Sequence, residues 1–314
     1  MAKRYDVACA GLQVVDVLVE GVDAGLFQRE STRARSVSLA LGGDALNQAL
    51  ALAQLGSAVA LLGAAGEDQL GDVLLALLKG YSLDVFDARV PARTSVSVVL
   101  IDGEGERRFV RQPGNNDALG FEHIRRDVVE DARILSVAGV MALSSLDGEG
   151  MERLLRLARE ADSLTVLDFR INRPRYDMDQ VRRTIALADW VLPNQQEAAY
   201  LTGETRPQAM AQALQAMGAK NVALKLGEQG CLLAWGAERA MIPGCPARVV
   251  DGTGAGDNFA GAFLHALSRG LHPVDCARFA CAAGAMAVER VGANGGLGGH
   301  EQVWARMKAT YDLA

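Results

Sequence analysis

The 314-residue chain has little of what several common functions require. Its four histidines show no metal-ligand spacing, so a zinc site is not expected. Its five cysteines (Cys9, Cys231, Cys245, Cys276, Cys281) are odd in number, scattered and without CxxC spacing. They read as free thiols of a reducing cytoplasm, not as a disulfide framework. Positive charge is not in excess: 32 Lys and Arg against 38 Asp and Glu give a net charge of −6. Neither nucleic acid nor an anionic membrane is therefore expected as a partner. No apolar run approaches the roughly 20 residues that cross a bilayer. The opening MAKRYDVACAGLQVVD carries Lys3 and Arg4, but Asp6 and Asp16 interrupt its apolar residues, so a first strand is expected there and no signal peptide.

What the chain does have is alternation. Half its residues are hydrophobic and 22% are charged, an ordinary globular balance. YDVACAG (5–11), SAVALLG (57–63), ARILSVAG (132–139), SLTVLDF (163–169), ADWVLP (188–193) and KNVALKLG (220–227) read as buried strands. Amphipathic stretches such as DQLGDVLLALLKG (68–80) and DGEGMERLLRLAREA (147–161) lie between them. Repeated strand–helix alternation predicts an α/β fold, a mostly parallel sheet with helices on both faces and ligands at the carboxyl ends of its strands. Two segments break the rhythm. VVDVLVEGV (14–22) with ARSVSLA (34–40), and TSVSVVLIDGEGERRFVRQ (94–112), alternate with period two, and the second carries a turn at 102–105. They predict antiparallel strands inserted as a small β lid, from about 12–40 and 93–115, on a single domain spanning 1–314.

The chemistry concentrates in two glycine-rich turns. In VVDGTGAGDNFAGAF (249–263), ARVVD (247–251) reads as a strand, and Phe259, Phe263 and Leu267 with Ala262 and Ala266 form one face of a helix that Gly270 can stop. Glycines at such a turn let backbone approach a ligand, and the unpaired first amides of a helix suit a phosphate. Asp257 is then the discriminating residue. A carboxylate beside a phosphate cradle opposes binding, but it serves to take the proton from a hydroxyl attacking that phosphate. The plain alternative is a tight turn with Asp257 capping the helix. In LALGGDALNQALALAQLG (39–56), Gly42 and Gly43 again form a strand-to-helix turn, and Asp44 and Asn47 share a helical face. Such a surface suits a polyhydroxylated ligand. The alternative is that Asp44 caps the helix and Asn47 is solvated.

These stretches resemble the signatures of the ribokinase-like (PfkB) carbohydrate kinases, and the similarity runs end to end. PNQQEAAYLTG (193–203) is similar to that family's Asn-x-x-Glu segment, and KLGEQG (225–230) to its nucleotide-side glycine turn. There is no GxxxxGK[ST], so the chain is not a P-loop kinase. The resemblance implies a three-layer ribokinase-like sandwich that uses ATP and Mg²⁺ to phosphorylate a sugar. It implies Asp257 as catalytic base, with the amides of Gly254, Ala255 and Gly256 as anion hole. It implies Asn194 and Glu197 organising magnesium through water, as suits a cation that prefers oxygen ligands and keeps much of its hydration. Lys225, Gly227, Gly230 and Thr253 would line the nucleotide side, with Cys281 in the CAAGAMAVE helix (281–289) beside the adenine. Asp16, Gly42, Gly43, Asp44 and Asn47 would hold the sugar under the lid, with Arg111 and Arg170 as further substrate contacts.

The chain also departs from the family pattern. Val14 stands where ribokinases proper have asparagine, and Asp44 replaces a lysine, so ribose is not the expected substrate. DFRINRPR (168–175) resembles the Asp-x-Asn-x-Arg segment of ketodeoxygluconate- and fructokinase-like members, with Arg170 and Asn172 exchanged. A K⁺ site formed by backbone near Asp251 and Thr253 and by a later loop is a further implication, but GANGGLG (292–298) has glycine where a serine ligand is expected. Bland readings stand beside these: Asp16 ending the first strand, Glu197 exposed on a helix, Asp168 tying down a strand end, and Arg107, Arg108 and Arg111 as a solvated flap edge. A nucleoside kinase on the same fold is the alternative activity. It needs a stacking surface from a chain that is 5% aromatic. A catalytically silent sensor is another, and it would have no use for Asp257. The apolar alternation of the lid predicts a homodimer through that surface.

Overall fold

The computed structural model describes residues 3–171, 176–293 and 295–313. Nine strands form one sheet in the spatial order Glu238–Ile242, Cys231–Trp235, Asn221–Lys225, Trp190–Val191, Leu164–Phe169, Ala132–Val140, Tyr5–Gly11, Val59–Leu62 and Asp84–Val85. Neighbours are parallel except at one edge, where Cys231–Trp235 runs antiparallel to both of its partners. Side-chain alternation explains the covering of both faces. Along Tyr5–Gly11, Ala8 and Ala10 join one apolar cluster while Val7 and Cys9 join the other. The first cluster holds Met151, Leu154 and Leu155 of the helix Glu149–Glu160. The second holds Leu46 and Leu50 of Asp44–Gln54, Phe259 and Phe263 of Ala255–Ser268, and Phe279 of Pro273–Ala287. The result is the expected three-layer α/β sandwich. No helix among the described residues is long and apolar enough to cross a membrane, and all five cysteines are free.

Four strands form a second sheet in the order Ser36–Gly42, Val14–Val22, Val96–Asp102, Arg107–Gln112. The outer pairings are antiparallel as expected, but the central one, Val14–Val22 with Val96–Asp102, is parallel. Each segment makes its own antiparallel pair, and the inner strands of the two pairs run side by side in the same direction. ADWVLP forms the buried strand Trp190–Val191, paired on both sides, and the amides of Asp189 and Leu192 continue the bonding to the carbonyls of Thr165 and Leu167. One further expectation fails locally. ARVVD is not a strand: the amides of Val250 and Asp251 both bond to the carbonyl of Val288, and Val249 and Val250 are exposed. The Val288 carbonyl thus takes the amides that a ladder would have used, and the run pairs with no strand.

Candidate active site

Both glycine motifs fold as strand- or loop-to-helix turns, and both leave the helix start without a side-chain cap. Gly254 is the N-cap of Ala255–Ser268 at φ 74, where a Cβ would also collide with the Ala293 carbonyl. Gly43 is the N-cap of Asp44–Gln54 at φ 98. Side chains rarely adopt that conformation, so glycine is required at each position. Asp257 is the third helical residue and Asp44 the first, and neither caps its helix, which removes the capping alternative for both.

The two helix starts meet. Asn47 Nδ2 donates to Asp257 Oδ2 at 2.8 Å, joining residues 210 positions apart. One residue further on, Gln48 Nε2 donates to Asp168 Oδ2 at 2.8 Å, and Lys225 Nζ donates to Asp168 Oδ1 at 2.8 Å. Asp168 therefore does more than tie down a strand end, because it is one half of a buried ion pair beneath the site. Lys225 Nζ lies 3.6 Å from where a Cβ on Gly256 would stand, under the first turn of the helix. Asn194 and Glu197 cap Gln195–Thr202 reciprocally: Asn194 N donates to Glu197 Oε2 at 2.8 Å, and Glu197 N to Asn194 Oδ1 at 2.9 Å. Glu197 is buried, not exposed on its helix. Asp16 lies inside the strand Val14–Val22 of the second sheet and not at the end of the first strand.

Eleven of the expected residues line one cleft of about 940 Å³: Asp16, Gly43, Asp44, Asn47, Arg111, Arg170, Asn194, Glu197, Thr253, Gly254 and Asp257. Others are not in its walls. Gly42 lies behind Asp16, whose carboxylate occupies the space a Cβ would need. Gly230 packs against the Ile242 carbonyl, and Gly227 borders open space. Cys281 is buried in Pro273–Ala287, where its thiol meets Tyr311. Asn172 and Asn294 lie outside the described residues.

The sequence profile of the pfkB family carbohydrate kinases matches residues 6–297. The chain belongs to that family. A 2-dehydro-3-deoxygluconokinase of Bacillus subtilis is 30% identical over 287 residues, covering 87% of this chain and 88% of its own. A sugar kinase of Archaeoglobus fulgidus is 29% identical over 253 residues, covering 79% of this chain and 98% of its own. Among solved structures, the ribokinase of Thermotoga maritima superposes with a TM-score of 0.82 at 26% identity, covering 97% of this chain and 99% of that one. The ribokinase of Arabidopsis thaliana, solved with ribose and ATP, gives 0.80 at 25% identity, covering 98% and 99%. The protein is thus a carbohydrate kinase of ribokinase fold.

Electrostatics set the acids of the cleft apart. Burial, reinforced by the Asp44 and Asp168 charges, raises the Asp257 carboxyl well above the usual range, against the pull of Asn47 and Lys225. Burial likewise pushes Glu197 up to about 7, with Lys225 opposing, and Asp16 up to about 6, with Arg111 opposing. Arg170 Nη1 sits 3.5 Å from Asp44 Oδ1, and that carboxylate raises its basicity. Burial opposes the charge of Lys225, but Asp168 and Glu197 outweigh it and keep the ammonium charged.

Asn194 and Glu197 place side-chain oxygens at the cleft wall, the ligand chemistry that suits magnesium held through water. The Asp251 side chain does not fit a monovalent cation. Its oxygens already accept from Thr253 N at 3.0 Å, Gly292 N at 2.7 Å and Arg107 Nη2 at 2.5 Å.

Arg107 corrects the reading of the flap as a solvated edge, since its side chain is 17% exposed and reaches Asp251 and Thr253. Arg108 remains exposed, while Arg111 lines the cleft with its guanidinium 4.2 Å from the Phe109 ring centre. Sequence reasoning also missed Gln48 and Asn258. The latter pins Gly254 O at 2.8 Å and Ala293 O at 2.6 Å from one amide. Its position one residue after Asp257 was the available signal.

Proposed function

We propose that this kinase transfers the γ-phosphoryl group of Mg·ATP to a hydroxyl of a monosaccharide, polyol or sugar acid. The observation that carries the reading is the Asn47–Asp257 hydrogen bond at the floor of the cleft, beside an uncapped helix start. Asp257 takes the acceptor hydroxyl's proton as the oxygen attacks the γ-phosphorus. The bond from that phosphorus to the β–γ bridging oxygen breaks, and ADP leaves. The amides of Gly254, Ala255 and Gly256 receive the transferring group. Magnesium, with Asn194 and Glu197 holding its water shell, would neutralise the triphosphate. ATP as donor is supported by the Arabidopsis relative solved with it.

Asp16, Asp44 and Asn47 offer acceptors and a donor to sugar hydroxyls. Arg111 gives the cleft one guanidinium not taken by Asp44, enough for a carboxylate but poorly suited to a phosphate dianion beside three aspartates. Unphosphorylated acceptors are therefore preferred. A nucleoside acceptor is less well served, because Phe109 already carries Arg111 on its ring and Tyr200 meets Tyr176 edge-on. The test is an ATP-consumption panel of sugars, polyols, sugar acids, sugar phosphates and nucleosides. The highest kcat/KM is expected for an unphosphorylated sugar or sugar acid, and a nucleoside or sugar phosphate at the top would overturn the reading.

The free thiols suit a reducing cytoplasm, and recovery of the enzyme in an exported fraction would contradict that assignment. Val37, Leu39 and Val110 are exposed on the lid, so two copies are proposed to meet there. Light scattering at micromolar concentration should give a dimer mass, and a monomer mass would contradict it.

A further inference from the structure

Arg107 has no part in the chemistry above, yet it makes the contact that ties the lid to the helix start. It opens the lid strand Arg107–Gln112, and period-two alternation puts it on the same face as Phe109 and Arg111, which line the cleft. Its two terminal nitrogens divide: Nη2 donates to Asp251 Oδ2 at 2.5 Å, and Nη1 donates to Thr253 Oγ1 at 2.6 Å. The Asp251 side chain is 4% exposed, and such a carboxylate is costly to bury without a counter-ion. Three separate segments therefore converge on it: the lid through Arg107, the helix-start loop through Thr253 N, and the 292–293 loop through Gly292 N. Asn258 closes the ring from the other side by holding Gly254 O and Ala293 O. Gly254, with its φ of 74, sits inside this bracket.

We propose that Arg107 is a positioning residue that couples lid closure to the order of the anion-binding loop. With the lid down, the guanidinium neutralises Asp251 and fixes Thr253, which holds Gly254 and the next amides where the phosphoryl group arrives. With the lid raised, Asp251 loses its counter-ion and the loop loosens. The kinase so arranges its anion hole only over an enclosed acceptor. The inference rests on the reading of Gly254–Gly256 as the anion hole.

The experiment combines kinetics with hydrogen exchange on the full-length protein, comparing wild type with Arg107→Ala, Arg107→Lys, Asp251→Asn and the Arg107→Ala/Asp251→Asn double variant. For Arg107→Ala, kcat should fall between about tenfold and a hundredfold, the scale of a small misplacement of catalytic groups, and sugar KM should rise with it. Added guanidinium ion should recover part of the loss, and lysine should retain more activity than alanine. The double variant should lose less than the product of the single losses, as residues in one network do. A contact that merely holds the lid would raise sugar KM with kcat unchanged, and that result overturns the proposal, as do fully multiplicative losses. Amide exchange over residues 252–256 should quicken in Arg107→Ala relative to wild type. That readout needs no turnover: unchanged exchange overturns the coupling even if no acceptor is phosphorylated, whereas altered exchange in a protein without sugar kinase activity would sink the functional reading alone.

Discussion

Two helix starts face each other across the cleft, and they are built alike until their acids are compared. Each has a glycine N-cap at positive φ, Gly43 or Gly254, no side-chain cap, and an aspartate in the first turn. Asp44 has a guanidinium for company, Arg170 at 3.5 Å. Asp257 has a neutral amide, Asn47 at 2.8 Å, and a position enclosed by protein on every side but the cleft. A carboxylate engaged by a cation is a fixed charge suited to orienting hydroxyls. One that burial and a neighbouring acid make more basic is suited to taking a proton. The contrast is what the proposed division between a binding acid and a reacting acid rests on, although both open the same kind of helix.

The largest effect that would sharpen this contrast comes from the glycines. Gly254→Ala forces a side chain onto a φ of 74 and into the Ala293 carbonyl, displacing the amides beside Asp257. Its kcat should fall by at least about a hundredfold, measured at saturating sugar and ATP. Gly256→Ala is the control, since its Cβ meets Lys225 Nζ at an ordinary 3.6 Å, and it should melt like wild type.

Next in size is Asp44→Asn, which frees Arg170 and removes a charged acceptor from the sugar side. Sugar KM should rise by about tenfold, in line with the loss of a charge-assisted hydrogen bond, while kcat holds. A fall in kcat with KM unchanged would erase the distinction between the two acids.

The smallest effect is on stability, and the two acids should differ in sign. The folded carboxyl of Asp257 is more basic than its unfolded counterpart, so the folded state binds its proton more readily. Its contribution is thus lost as pH rises from the ordinary carboxylate range through the raised folded value. Asp257→Asn removes that loss and should raise Tm by about 1–3 °C above neutral pH. Asp44→Asn, which deprives Arg170 of its partner, should not. Calorimetry of both variants decides it, and a lower Tm for Asp257→Asn would mean that the carboxylate stabilises the fold.

Much of this was legible in the sequence because the determinants are local. Tyr5–Gly11 and Ala132–Val140 announce themselves by continuous apolar runs, and both helix starts do so by glycines immediately before an acid and an apolar face. The cleft was legible too, since Asp16, Asn47, Asn194, Glu197 and Asp257 each belong to such a local motif. What could not be read depends on contacts without a period. Arg107 reaches Asp251 across 144 positions and Lys225 reaches Asp168 across 57, and in sequence a long basic side chain looks the same whether solvated or paired. ARVVD failed for a related reason: β-branched residues favour extended backbone, but only pairing with a neighbouring strand makes that a strand, and its amides go to Val288 instead. The parallel pairing at the centre of the lid was likewise a matter of how two antiparallel pairs sit together.

The central claim is that Asp257 accepts the proton, and the most direct measurement is kcat of Asp257→Asn with its best acceptor at saturation, alongside ATP affinity and Tm. Asparagine keeps the shape, the hydrogen bond to Asn47 and the helix start, but it cannot serve as the base. The account predicts a fall in kcat of about 10²–10⁴-fold, the usual range for general-base assistance. ATP affinity should be unchanged or tighter, since a negative charge beside the phosphates is gone, and the fold should be intact. A folded Asp257→Asn enzyme that binds ATP and turns over near the wild-type rate would contradict it.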